Sequence, residues 1–233
     1  MSYLEELEQL VSYNNNPDDL LRGLKSISDS SDITFSTSFG AEDQVITHLL
    51  YTHFNNCPIF TLDTGRLFQE TYDTFHSTIN KYKLDIEVFS PDSDDLKELY
   101  QNQGANGFYD SIENRKSCCG VRKVIPLKKA LEGKKIWITG LRSEQSDNRS
   151  NLSKVEYDSH FDIIKIHPIL EWSWEKTMQY LTDNGVPTNP LHKKGFPSIG
   201  CLPCTRAIEK GEDFRAGRWW WEQSAKECGL HSK

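Results

Sequence analysis

The chain has 233 residues, 36% hydrophobic and 11% aromatic, enough to bury the core of one large domain. Its formal charge of -7 argues against wholesale wrapping of nucleic acid or binding to an anionic membrane, so any anion site must be a local cluster of Arg and Lys. No stretch approaches the roughly 20 apolar residues of a membrane span, and the acidic start MSYLEELEQL lacks a signal-length apolar run, so a cytoplasmic protein is expected.

In chain order, Ile33 to Phe35 reads as a short buried strand, followed by the turn SFGAED and a helical pattern through Val45, Ile46, Leu49 and Leu50. Pro58 to Leu62 repeats the scheme, with a turn at Asp63-Thr-Gly65 and a helix from Leu67 to Tyr82. Leu84 to Phe89 is a third strand and Asp94 to Gln101 a helix. Gly104, Asn106 and Gly107 mark a loop leading into Cys118-Cys119, and Val121 to Leu131 forms a further helix. Lys135 to Thr139 and Phe161 to Ile166 are the remaining strands. Strands alternating with helices imply a mostly parallel twisted sheet flanked by helices, with residues 1–210 as the main α/β domain and 211–233 as a mobile C-terminal tail.

In such sheets a ligand sits beyond the carboxyl ends of the strands, where SFGAED, DTGR and GLRSEQSDNR all fall. Ser36, Ser38 and the amides around Gly40 can receive an anion at a helix start, and Arg142 and Arg149 can add bidentate contacts. Each turn alone is equally an ordinary helix cap, and each Arg an ordinary solvated side chain. Their shared position after strands makes the joint case for a nucleotide or another anion.

Six cysteines in a reducing compartment are more readily ligands or reactive thiols than a disulfide framework. Cys118, Cys119, Cys201 and Cys204 together can ligate a four-iron cluster. A single zinc ion suits them less well, because adjacent side chains diverge and converge poorly on one small tetrahedral ion. A redox-active disulfide is the remaining reading. Cys57, with no cysteine partner nearby, reads as an inert thiol. Cys228 lies near Lys226 and His231, cations that lower a thiol pKa, on a segment with local freedom at Gly229.

The motifs SFGAED, LDTGR, CCGVRKVIPL, GLRSEQSDNR, GCLPCTRAI, RAGRWWWE and KECGLH run in order over almost the whole chain. Together they resemble the assimilatory phosphosulfate reductases, specifically the iron-sulfur adenylyl-sulfate (APS) reductases. The resemblance implies an adenine nucleotide alpha-hydrolase-like fold, a [4Fe-4S] cluster on Cys118, Cys119, Cys201 and Cys204, and reduction of APS to sulfite and AMP. Thioredoxin or glutaredoxin would be the reductant, and a homo-oligomer is expected on the same ground. Cys228 would be the nucleophile. Ser36, Ser38, Phe39, Gly40, Leu62, Thr64, Gly65 and Arg66 would line the nucleotide pocket with Gly140. Lys123 would link cluster and substrate, Arg142, Arg149, Arg215 and Arg218 would contact phosphate or sulfate oxygens, and His231 would close the site. Arg115 stands where relatives often carry a histidine.

Three other readings bear on the same residues. The substrate could be the 3′-phosphorylated nucleotide PAPS. An AMP-forming ATP ligase of this fold usually has an SGGxDS-type loop, whose paired glycines and final Ser are missing from SFGAED. A zinc-stabilised binding module leaves the strand-end turns and Cys228 without a purpose.

Overall fold

The structure, a computed structural model, describes residues 3–13, 16–146, 149 and 152–222. Two amphipathic helices, α1 (Tyr3–Tyr13) and α2 (Pro17–Ile27), precede the first strand, β1 (Ile33–Thr37). There follow α3 (Ala41–His53), β2 (Ile59–Leu62), α4 (Gln69–Tyr82), β3 (Ile86–Phe89) and α5 (Ser93–Gln103). The chain continues through α6 (Ile112–Cys119), α7 (Ile125–Leu131), β4 (Ile136–Ile138), β5 (Val155–Asp158), β6 (Ile163–Ile166) and α8 (Trp174–Asp183).

The six strands form one sheet in the order β3-β2-β1-β4-β6-β5, parallel except for β5, which runs antiparallel to β6 at the edge. The mostly parallel sheet and flanking helices expected from the strand-helix alternation are therefore present. Burial follows the two-residue alternation of strand side chains. Phe35, Ile59, Ile136, Ile138, Ile164 and Ile166 enter the larger core with α1, α2, α3 and α8, whereas Phe60, Trp137 and Ile163 face the smaller core under α7. Both faces are covered, so the central strands β1, β2 and β4 are buried almost throughout, the hydroxyl residues of β1 included. The sheet grows from β1 in both directions, towards β2 on one side and β4 on the other. That divergence leaves a crevice at the carboxyl ends of β1 and β4.

The region before the cysteine pair differs from its expectation. Residues 112–119 form α6, capped by the Ser111 hydroxyl accepting from Asn114 N, and the chain passes through a wide π-turn, Gly120–Val124, directly into α7. A loop is the sequence reading because Ile112 is the only strongly apolar residue of α6 before its cysteines, so the helix has no apolar stripe to announce it. The first residues of the expected tail, 211–222, are held against the body. Thr205 bridges Arg218, Arg206 N donates to Gly217 O, and Trp219 N donates to Cys204 O, so the chain up to Glu222 lies on the body. Trp219 is buried, and Trp221 packs against Tyr109 at 4.5 Å between ring centres.

Candidate active site

The crevice between β1 and β4 opens into a cavity of about 210 Å³. All three strand-end turns reach it, through Ser36, Ser38 and Gly40, through Leu62 and Thr64, and through Gly140 and Arg149. Arg215, Arg218 and Lys123 line it as well. The convergence follows from topology, because β1, β2 and β4 are adjacent and parallel and so deliver their carboxyl-end turns to one place.

The turn after β1 is held tightly. Ser38 donates from both N and Oγ to Asp43 Oδ2 at 2.6 Å, and Trp137 Nε1 donates to Ser36 Oγ at 2.8 Å. Phe39 takes a left-handed conformation (φ 59°) that turns its ring away from the cavity to stack on Phe75 at 4.6 Å. Its part is to shape the turn. Gly140 is required by close approach, since a Cβ there would stand 2.3 Å from Asp43 Oδ1.

Asp43 is the most perturbed acid of the cavity. Burial raises its pKa from 3.8 to about 6, against the lowering effects of the Ser38 hydrogen bonds and Arg149. Between about pH 4 and 6 the folded protein holds a proton on Asp43 that the unfolded chain has released, so this group's contribution becomes less favourable as pH rises through that window. Asp43→Asn is accordingly expected to gain stability over wild type from pH 4 to pH 7, on the order of 2 kcal/mol, in paired denaturant titrations. A constant difference across that range would contradict the assignment.

The cationic residues divide by surroundings. Arg149, Arg215 and Arg218 are buried at the cavity wall, and both Arg215 and Arg218 donate to Ser198 Oγ, at 3.4 and 3.3 Å. Arg142, expected among the anion contacts, is fully buried outside the lining. Its Nε donates to Glu42 Oε1 at 2.9 Å, and its guanidinium carbon lies 5.7 and 5.5 Å from the ring centres of Trp174 and Phe214, which pack edge to face on each other. Arg142 joins the turns that follow β4 and β1. Arg66 and Gly65 also lie outside the lining. Arg66 bonds Asn106 Oδ1 and Ala105 O and lies over Phe108, while Gly65 takes φ 68° to complete the turn.

A second, smaller cavity abuts the first, lined by Cys118, Cys119, Cys201 and Cys204 with Arg66, Arg115, Arg122 and Lys123. Cys118 and Cys119 end α6, and Cys201 precedes and Cys204 ends the short 3-10 turn Leu202–Cys204, which Tyr109 pins by donating to Pro203 O at 2.7 Å. Among the described residues no group of three or more His, Cys, Asp and Glu side chains is placed to hold a single metal ion. The thiols instead border a shared space. Burial pushes Cys204 up to about 12 and raises Cys118, so as free thiols both are protonated and poor nucleophiles. Four soft donors ringed by four cations fit a polynuclear metal-sulfur group, whose thiolates bring negative charge, better than they fit a redox dithiol. Cys57 is buried apart from these, and burial pushes its thiol up to about 12, which keeps it protonated.

The two cavities share a wall. Lys123 borders both, Thr64 Oγ1 lies 3.3 Å from Cys201 Sγ, and Arg122 Nη1 donates to Thr64 O at 2.6 Å. Cys228 and His231 lie outside the described residues.

Several lining residues escaped the sequence reading, among them Thr139, Gln145, His192 and the segment 197–200. Thr139 carried a signal, as the last residue of an apolar run before Gly140. His192 carried none. Its Nδ1 donates to Phe196 O at 2.8 Å, which leaves Nε2 a buried acceptor without a protein partner at the cavity.

A strand-end pocket rich in buried arginines, at the switch point of a parallel sheet, defines a nucleotide-binding α/β protein. The family described as phosphoadenosine phosphosulfate reductase domain matches residues 32–207, and the chain belongs to it. Relatives named adenosine 5′-phosphosulfate reductase include those of Agrobacterium fabrum, 50% identical over 84% of this chain and 76% of its own length, and of Rhizobium tropici, 52% identical over 73% and 95%. That of Allochromatium vinosum is 48% identical over 86% of this chain and 79% of its own. Among solved structures, the phosphoadenylyl-sulfate reductase of Candida auris superposes with a TM-score of 0.73 at 24% identity, covering 88% of this chain and 98% of its own. The FMN adenylyltransferase of Candida glabrata does so at 0.59 and 16%, covering 93% and 73%. Both likenesses concern the fold. No helix among the described residues is long and apolar enough to cross a membrane.

Proposed function

We propose that this chain reduces adenylyl sulfate to sulfite and AMP in sulfate assimilation, with Cys228 as nucleophile and thioredoxin or glutaredoxin as the thiol donor. The observation that carries the reading is the shared wall: a strand-end anion pocket meets a four-cysteine cavity at Lys123 and Thr64. Relatives about half identical over most of the chain bear the name of that activity. A cytoplasmic location suits the free thiols and the proposed donor.

The strand-end turns would seat the nucleotide, and Arg149, Arg215 and Arg218 would hold its oxyanions. The Cys228 thiolate attacks the sulfur of the bound sulfate group. The sulfur-oxygen bond to the phosphate breaks, and its electron pair leaves on AMP, giving an S-sulfocysteine. A donor thiolate then attacks Cys228 Sγ, and sulfite departs with the electron pair of the sulfur-sulfur bond. The donor's second thiol resolves the mixed disulfide and restores Cys228. Two thiols thus supply both electrons.

Cys118, Cys119, Cys201 and Cys204 would hold a [4Fe-4S] cluster, which when bound supplies a fixed local charge and a cross-link between α6 and the 201–204 turn. Arg122 and Lys123 would offset its thiolate charge and orient the wall it shares with the pocket. Wild-type protein given APS without a thiol donor is expected to accumulate a sulfonate on the Cys228 peptide, seen by mass spectrometry. Absence of any adduct would defeat the reading.

PAPS is the alternative substrate. The cysteine set favours APS by resemblance, and faster turnover of APS than of PAPS is the expected outcome when the two are compared with the same reduced thioredoxin. Preference for PAPS would reassign the substrate while leaving the chemistry intact.

A further inference from the structure

Arg115 and Glu222 form an ion pair to which none of the reaction steps gives a part. Arg115 Nε donates to Glu222 Oε1 at 2.9 Å and Nη2 to Oε2 at 2.8 Å, a parallel fork in which both side chains are about 95% buried. The Arg115 guanidinium also lies over the Trp219 ring, 4.7 Å from its centre. The pair spans 107 residues of sequence. One end stands three residues before Cys118 on α6, and the other is the last described residue before Cys228. Arg115 lines the four-cysteine cavity, and neither side chain lines the larger one.

We propose that the Arg115–Glu222 pair is a positioning clamp that pins the root of the Cys228-bearing segment to the helix carrying the cysteine pair. The clamp rests on the reading of Cys228 as nucleophile. The physical argument is one of tether length. Cys228 stands six residues after Glu222, a span of at most about 20 Å when fully extended. Without the clamp the next hydrogen bond from this stretch to the body is that of Trp219 N to Cys204 O, nine residues before Cys228. Effective concentration falls roughly as the −3/2 power of tether length, so going from six to nine residues dilutes Cys228 about twofold at the pocket, before any loss of orientation. A buried fork also has a structural cost when one partner is removed, because the other charge is left unpaired.

The test uses Arg115→Met, the uncharged double variant Arg115→Met/Glu222→Gln, and the swap Arg115→Glu/Glu222→Arg. Hydrogen exchange at the Trp219 and Glu222 amides, with limited chymotrypsin cleavage after Trp220 and Trp221, reads the root directly and needs no turnover. Both are expected to rise in Arg115→Met and in the double variant. Single-turnover formation of the Cys228 sulfonate is expected to slow at least about twofold, with AMP affinity unchanged and partial recovery in the swap. Unchanged exchange and cleavage in the double variant would overturn the clamp. So would a loosened root with an unchanged adduct rate, or a slowed adduct matched by an equal loss of AMP affinity. If wild type itself forms no adduct, the reductase reading fails, while exchange and cleavage still decide whether the pair holds the root.

Discussion

Replacing Cys228 by Ser is expected to lower turnover at least about a thousandfold, because the hydroxyl that takes its place is neutral at pH 7 and a poor nucleophile towards sulfur. The other five cysteines offer no substitute. Four border a separate cavity, where burial raises Cys118 and Cys204 and keeps them protonated as free thiols, and Cys57 is buried elsewhere with its thiol pushed up to about 12. The variant should keep wild-type melting temperature, AMP affinity and visible absorption, and it should form no sulfonate adduct with APS. Cys201→Ala should behave differently: its sulfur touches Thr64 Oγ1 and its carbonyl accepts from Thr205 Oγ1, so visible absorption and turnover should be lost together. Turnover by Cys228→Ser above a hundredth of the wild-type rate would remove Cys228 from its role.

The second large effect is on stability. Arg142 has no exposed surface, its Nη2 lies 2.8 Å from Glu42 Oε1, and its Nη1 donates to Glu144 Oε2 and Trp172 O, both at 3.1 Å. Glu42 belongs to the first turn of α3, directly after the turn that carries Ser38. Glu42→Gln leaves a full buried positive charge facing a neutral amide and Glu144, which is half exposed. Breaking a buried pair in this way costs about 3–5 kcal/mol, which for a chain of this size lowers the melting temperature by roughly 10 °C. Arg142→Met should cost as much by stranding Glu42. The double variant Glu42→Gln/Arg142→Met, with neither charge, is expected to recover part of the loss, because two-site coupling is strong for groups in contact. Calorimetry on the four proteins measures it. Additive losses would show that the pair carries no coupling.

The Arg142 result marks how far residues could be read in one dimension. Arg142 and Arg149 look alike along the chain, both polar and both just past a strand. In the fold Arg149 borders the cavity while Arg142 is occupied by a carboxylate 100 residues earlier. Phe39 and Arg66 divide from their neighbours for the same reason: a positive φ turns one ring into the core, and the loop at Ala105 and Asn106 takes the other side chain. The turns themselves were legible because apolar runs closed by Gly, Asp and Ser mark where strands end. Edge strand β5 was not, since only Val155 of its four residues is buried and the others show no strong alternation.

The class of sheet and the three polar turns at its carboxyl edge were legible along the chain, and the cysteines fell there, as an expectation, into a set of four, a lone one and a terminal one. These follow from local patterns: apolar runs, turn residues and spacing. Tertiary structure decided which charges face the pocket, that the four thiols share a wall with it, and that Arg115 clamps Glu222. Each of those depends on contacts between residues roughly 60 to 140 positions apart, whose partners are selected by the order of strands in the sheet and carry no mark in the chain near either member.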